Sequence, residues 1–169
     1  PNVAIGGSAG TAITTGAKNV AIGHKAMFVH TTGGNNTVIG YGAMVDTDNS
    51  GGSDDTKDSD HNTFIGSHVA SGTWGAGKSE SNTAIGSSAM TGDITTSNYN
   101  VAVGLNALNG DLSSVNGAVA IGTQSLAALT SGAGNVGVGY QAMLESTTGE
   151  KNTVIGHQAA AAFDAGESR

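Results

Sequence analysis

The stretch N-V-A-I-G-H-K-A at residues 19–26 decides how this chain folds, because its pattern recurs along almost the whole length. It stands as N-V-A-I-G-G-S-A at 2–9, N-T-V-I-G-Y-G-A at 36–43 and N-T-F-I-G-S-H-V at 62–69. It continues as N-T-A-I-G-S-S-A at 82–89, N-V-A-V-G-L-N-A at 100–107 and A-V-A-I-G-T-Q-S at 118–125. N-V-G-V-G-Y-Q-A at 135–142 and N-T-V-I-G-H-Q-A at 152–159 complete nine copies. A fixed phrase at a near-fixed period means one structural unit stacked many times.

The period selects the unit. The phrase glycines are Gly6, Gly23, Gly40, Gly66, Gly86, Gly104, Gly122, Gly139 and Gly156, at steps of 17, 17, 26, 20, 18, 18, 17 and 17. A step of 17 suits one turn of a β-solenoid and is too short for a helix-pair repeat. The residue after Asn is always Val or Thr, and the residue before Gly is always Ile or Val. β-branched residues favour extended backbone. The expected fold is all-β: a repetitive solenoid of about nine coils over residues 1–160, with 161–169 as a connector to a downstream region. The chain opens at Pro1 directly in a repeat, so an excerpt of a longer protein is expected.

Within a phrase, the Val/Thr and Ile/Val positions are two apart and share one face. That face is expected to point into the coil, packed by Ile5, Ile22, Ile39, Ile65, Ile85, Val103, Ile121, Val138 and Ile155. The residue between them is usually Ala, so the opposite face is expected to be packed too, but closely and with little room. The phrase asparagines Asn2, Asn19, Asn36, Asn62, Asn82, Asn100, Asn135 and Asn152 are read as structural. They can take left-handed corners and stack into a hydrogen-bonded ladder. Met27, Met44, Met90, Leu108, Leu126 and Met143 follow the phrase-closing residue and are expected to be core gap-fillers.

Composition narrows the function classes. Gly counts 28 of 169 and Pro only 1, so the glycine is periodic rather than that of a disordered linker. A formal net charge of −7 argues against a nucleic-acid face, which needs clustered Lys and Arg. No apolar run reaches the length of a membrane-spanning helix. The absence of Cys excludes a disulfide scaffold and thiolate metal sites.

The phrases N-V-A-I-G-x-x-A and N-N-T-V-I-G-Y-G-A resemble the head repeats of trimeric autotransporter adhesins, and even more the repeats of bacteriophage tail-fibre proteins. The resemblance covers residues 2 to about 160. It implies a left-handed parallel β-roll with three chains side by side, the Ala-rich face meeting the neighbouring subunits. It also implies a structural and adhesive role in host attachment on a virion. The alternative is the head of a bacterial surface adhesin. Adhesin heads usually have shorter repeats than this chain, which favours the phage fibre.

Several features bear on chemistry. D-T-D-N-S-G at 46–51 has the form of a calcium loop, with Asp46, Asp48, Ser50 and Asp54 as possible ligands. Lys57 occupies the position where a bidentate Glu would be expected, so a solvated acidic loop is the competing reading. Hexapeptide acyltransferases share the Ile-Gly-x-x-Ala pattern, but Thr11, Thr91, Asn109 and Ala127 stand where the next hexad needs a large aliphatic. The histidines His24, His30, His61, His68 and His157 share no evident orienting partner. An ice-binding face would need regular T-x-T ladders, whereas the threonines pair as adjacent residues such as Thr31-Thr32. No enzyme activity and no other cofactor is expected. Function is expected at the outer corners, in the loops 45–61, 71–81 and 109–117. Trp74, Tyr41, Tyr99 and Tyr140 are the candidate contacts to a cell-surface glycan or protein.

Overall fold

The computed structural model describes residues 1–45, 59–74 and 77–162. In chain order its strands are Val3–Ile5 (β1), Val20–Ile22 (β2), Thr37–Ile39 (β3), Thr63–Ile65 (β4), Thr83–Ile85 (β5), Ile94–Thr95 (β6), Val101–Val103 (β7), Leu112–Ser113 (β8), Val119–Ile121 (β9), Val136–Val138 (β10) and Thr153–Ile155 (β11). Each phrase supplies one strand, and these form a nine-stranded sheet in the order β1-β2-β3-β4-β5-β7-β9-β10-β11. All neighbours run parallel, phrase against phrase: Val3 pairs with Val20, Thr37 with Thr63 and Val136 with Thr153. The rest of each coil is the crossover that parallel pairing requires. β6 and β8 form a second, two-stranded parallel sheet, to which Trp74 bridges through Ile94. The fold is thus a β-solenoid. The 26-residue step leaves the pairing of β3 with β4 in register. The calcium-loop residues Asp46, Asp48, Ser50 and Asp54 lie outside the described residues.

The inside and outside of each strand are the reverse of the sequence expectation. The middle residue points inward: Ala21, Val38, Phe64, Ala84, Ala102 and Ala120 are fully buried. The flanking Val/Thr and Ile/Val residues face out, and Ile85 in mid-rod remains 39% exposed. The asparagine explains this. Its amide must reach backbone groups inside the rod, so its side chain points in. With a side-chain period of two, the residue two positions on must point in as well. The Ala positions are therefore core, and the Ile and Val positions form a surface.

The asparagines form the expected ladder, in a form that ties three backbone points together. Asn82 Oδ1 accepts from the Asn100 backbone N–H at 3.0 Å and from Asn100 Nδ2 at 3.1 Å, while Asn82 Nδ2 donates to the Ser97 carbonyl at 2.8 Å. Asn19 does the same for Asn36 and Gly33, and Asn36 for Asn62 and Ser59. The bonds to backbone N–H and C=O satisfy buried groups that a tight corner would otherwise orphan. Ala118 interrupts the ladder: its N–H donates to Asn100 Oδ1 at 2.8 Å, but its methyl group has nothing to offer Asn135.

The phrase glycines take positive φ, but the phrase asparagines do not. The residue before each Asn takes positive φ, as at Lys18, Asn35, His61, Ser81, Tyr99 and Lys151. So does the residue after the phrase-closing position, including Met27, Met44, Met90, Leu108, Leu126 and Met143. Such backbone costs non-glycine residues roughly 1–2 kcal/mol each. Stacking offsets it, because each corner N–H donates to the adjacent coil: Met27 to Ala43 O at 3.0 Å, Met90 to Ala107 O at 3.0 Å, Tyr99 to Glu80 O at 3.1 Å. The Met/Leu side chains are buried as expected. A further inward column, which sequence reading missed, runs through Trp74, Ile94, Leu112 and Leu129, with Phe64 packed edge-on to Trp74 at a centroid distance of 6.0 Å.

Candidate interaction surfaces

Two surfaces face solvent with side chains that solvent does not explain. The first is the outer face of the nine-stranded sheet. Its residues are Val3 and Ile5, Val20 and Ile22, Thr37 and Ile39, and so on to Thr153 and Ile155, without one charged side chain. Val3, Ile5, Ile85, Ile121 and Ile155 are exposed, and Ile22, Ile39, Ile65, Val103 and Val138 are half-buried. The face is continuous, because every strand is in register with the next. At about 4.8 Å per strand it runs for roughly 40 Å, and it is about 10 Å wide. Val or Ile fills fourteen of its eighteen positions and Thr the other four, which makes it a candidate interaction surface.

The second surface is the set of columns at the corners. The residue after the phrase glycine forms one of them. His24 stacks on Tyr41 with centroids 5.4 Å apart, and His68, one position beyond the column residue Ser67, meets the same ring edge-on at 5.1 Å. Tyr140 stacks on His157 at 5.0 Å. Beside these, Gln141 Nε2 donates to Gln124 Oε1 and Gln158 Nε2 to Gln141 Oε1, each at 2.9 Å. These ladders hold coil to coil with side chains that also remain accessible.

The four aromatic contact candidates therefore separate. Trp74 is buried in the core beside Phe64, which contradicts its reading as a surface contact. Its step of 20 residues gives room for an indole to turn inward. Tyr41 and Tyr140 are exposed, but histidines of the adjacent coils stack against their rings. Tyr99 is 67% exposed, and no other ring packs on it among the described residues. Among the described residues no group of three or more His, Asp or Glu is placed to hold a metal ion. Among those residues, no helix is long and apolar enough to cross a membrane. No protein-family model matches the chain, and no curated protein or solved structure is similar to it.

Proposed function

We propose that this chain is a rod-forming structural and adhesive segment of a host-attachment fibre, of the phage tail-fibre kind, assembled as a homotrimer of left-handed solenoids. The observation that carries this reading is the uncharged Val/Ile/Thr face left open on the single chain. A stripe of about 40 by 10 Å offers some 400 Å². That is half of the roughly 800 Å² per partner typical of a stable pair. In a three-fold bundle the stripe faces the axis and its area is shared between two neighbours, so each pairwise contact is small and the assembly depends on all three closing together. Because every strand carries the same three positions, parallel copies would repeat one contact layer along the rod. The subunit contact is thus assigned to the β-branched face, and the Ala face, where the sequence placed it, is core. The corners point away from the axis and remain free for a cell surface. The absence of Lys and Arg clusters suits a glycan or protein partner rather than nucleic acid.

A single cysteine tests the arrangement, since the chain has none of its own. Val103→Cys should form intermolecular disulfides rapidly under mild oxidation, because in-register copies place residue 103 against itself. Ser113→Cys, exposed on β8 away from the stripe, should not. Equal and slow cross-linking at both positions would remove the support for the bundle.

A further inference from the structure

Tyr99 differs from the other exposed tyrosines in what lies above and below it. The residue before each phrase Asn or its equivalent forms a column along the rod, and Tyr99 stands there between Ser81 and Gly117. The backbone fixes this order: Tyr99 N–H donates to Glu80 O at 3.1 Å, and Gly117 N–H to Asn98 O at 3.0 Å. Both neighbours are small and exposed, and a Cβ placed on Gly117 would touch nothing within 4 Å. Where Tyr41 has histidines on its flanks, Tyr99 has open space.

The adjoining column supplies polar groups. Glu80, Asn98 and Asn116 follow one another along the rod: Asn98 Oδ1 accepts from Glu80 N–H at 2.7 Å, and Asn116 Oδ1 accepts from Asn98 N–H at 2.9 Å and from Asn98 Nδ2 at 3.2 Å. Asn116 Nδ2 donates one hydrogen to Ser114 O at 3.0 Å. Its second hydrogen, the one spare lone pair of Asn98 Oδ1 and the Glu80 carboxylate, whose Oε1 lies 3.9 Å from Lys78 Nζ, remain for a ligand. These amides are held by the coil stack, so they are ordered before anything binds, which lowers the entropy cost of binding.

We propose that the corner formed by Tyr99, Ser81, Gly117, Glu80, Asn98 and Asn116 is a saccharide-binding site. A pyranose has one face of C–H groups, which packs on the negative face of an aromatic ring. Its rim of hydroxyls needs both donors and acceptors within reach, and amides and a carboxylate provide both. The composition favours a sugar over a protein partner. A protein hot spot sits among apolar groups that exclude water, whereas the neighbours of Tyr99 are Ser, Gly, Asn and a Glu80 carboxylate paired with Lys78. The inference rests on the reading of the rod as an attachment segment whose corners face outward. In a trimer the site would occur three times, so weak single contacts would add through avidity.

The probe is a printed array of oligosaccharides covering neutral hexoses, N-acetylhexosamines and acidic sugars, followed by titration of the captured sugar in soluble monovalent form. The wild-type chain should bind at least one class. Tyr99→Ala should weaken the monovalent affinity at least tenfold, Tyr99→Trp should retain it, and Tyr41→Ala should leave it unchanged. Thermal melts of the variants should match wild type, which separates loss of the site from loss of fold. Capture of no saccharide class by the wild type overturns the assignment, as does equal affinity of Tyr99→Ala and wild type. Light scattering on the same samples separates the two readings. A monomer that binds sugar through Tyr99 would refute the bundle and keep the site, and a trimer that binds none would do the opposite.

Discussion

Gly104→Ala is expected to destabilise the solenoid by about 4 kcal/mol, at the far end of what one methyl group does. Gly104 follows β7 with φ of 137°, a conformation that side chains rarely adopt. An added Cβ would lie 2.6 Å from both the C and the O of Gly122 in the next coil, and 3.0 Å from the Thr123 nitrogen. These are backbone atoms, so neither neighbour can swing aside. The two coils would have to part, and with them the bond from Gly122 N–H to Val103 O at 2.7 Å. For a chain of this length the melting temperature should fall by about 10 °C. In a stacked repeat, a weakened interface in mid-rod can also split the melt into two transitions. Gly117→Ala is the control. It too has positive φ, but open space around it, and should cost only about 1 kcal/mol. Equal melting temperatures for the two variants would show that the close approach at the phrase glycines does not limit stability.

Asn82→Ala is expected to cost about 3 kcal/mol, because it removes one side chain and orphans two buried backbone groups. The Asn100 N–H loses its acceptor and the Ser97 carbonyl loses its donor, both in a region closed to water. The chain contains the reciprocal case. At residue 118 the ladder already has Ala, so Ala118→Asn should place an amide oxygen toward the Asn135 N–H and an amide nitrogen toward the Gly132 carbonyl. A gain of about 1 kcal/mol is expected. Thermal denaturation followed by far-ultraviolet circular dichroism reads both. A neutral Asn82→Ala would mean that the ladder is decoration, and a destabilising Ala118→Asn would mean that the interior at that coil is filled by other atoms.

These two sites also show where the sequence was readable. The recurrence of Asn and Gly at one spacing leads directly to in-register parallel strands, because only stacking brings like positions together. The Met/Leu column was legible for the same reason. The two sides of the strand were not. Ile and Val outrank Ala in hydrophobicity, so Ile85 was read as pointing into the coil and Ala84 as facing a neighbouring subunit, while the structure buries Ala84 and leaves Ile85 half open to solvent. The decisive clue was polar: a buried Asn82 forces Ala84 inward by parity. Left-handed Met27 and Tyr99 gave no local signal, since non-glycine residues at positive φ are held by bonds to another coil. An isolated indole in a loop resembles a contact residue, so the sequence alone does not reveal that Trp74 is core. Its partners Ile94 and Leu112 lie one and two coils away and become neighbours only after stacking. At the candidate site the sequence named Tyr99 together with three other rings. Only the coil register distinguishes a tyrosine flanked by Ser81 and Gly117 from one flanked by His24 and His68.

The outward Val/Ile face decides between a self-sufficient monomer and a bundle. Sedimentation equilibrium on the wild-type chain and on the Ile85→Asp, Ile121→Asp double variant measures it most directly. Both residues are exposed on the single chain, so the aspartates leave the solenoid folded and act only on association. The wild type is expected at three chain masses and the double variant at one, with unchanged β-sheet circular dichroism. A wild type that stays at one chain mass across the micromolar range, or a double variant that unfolds because these side chains are core after all, would contradict the assignment of this face to the subunit contact.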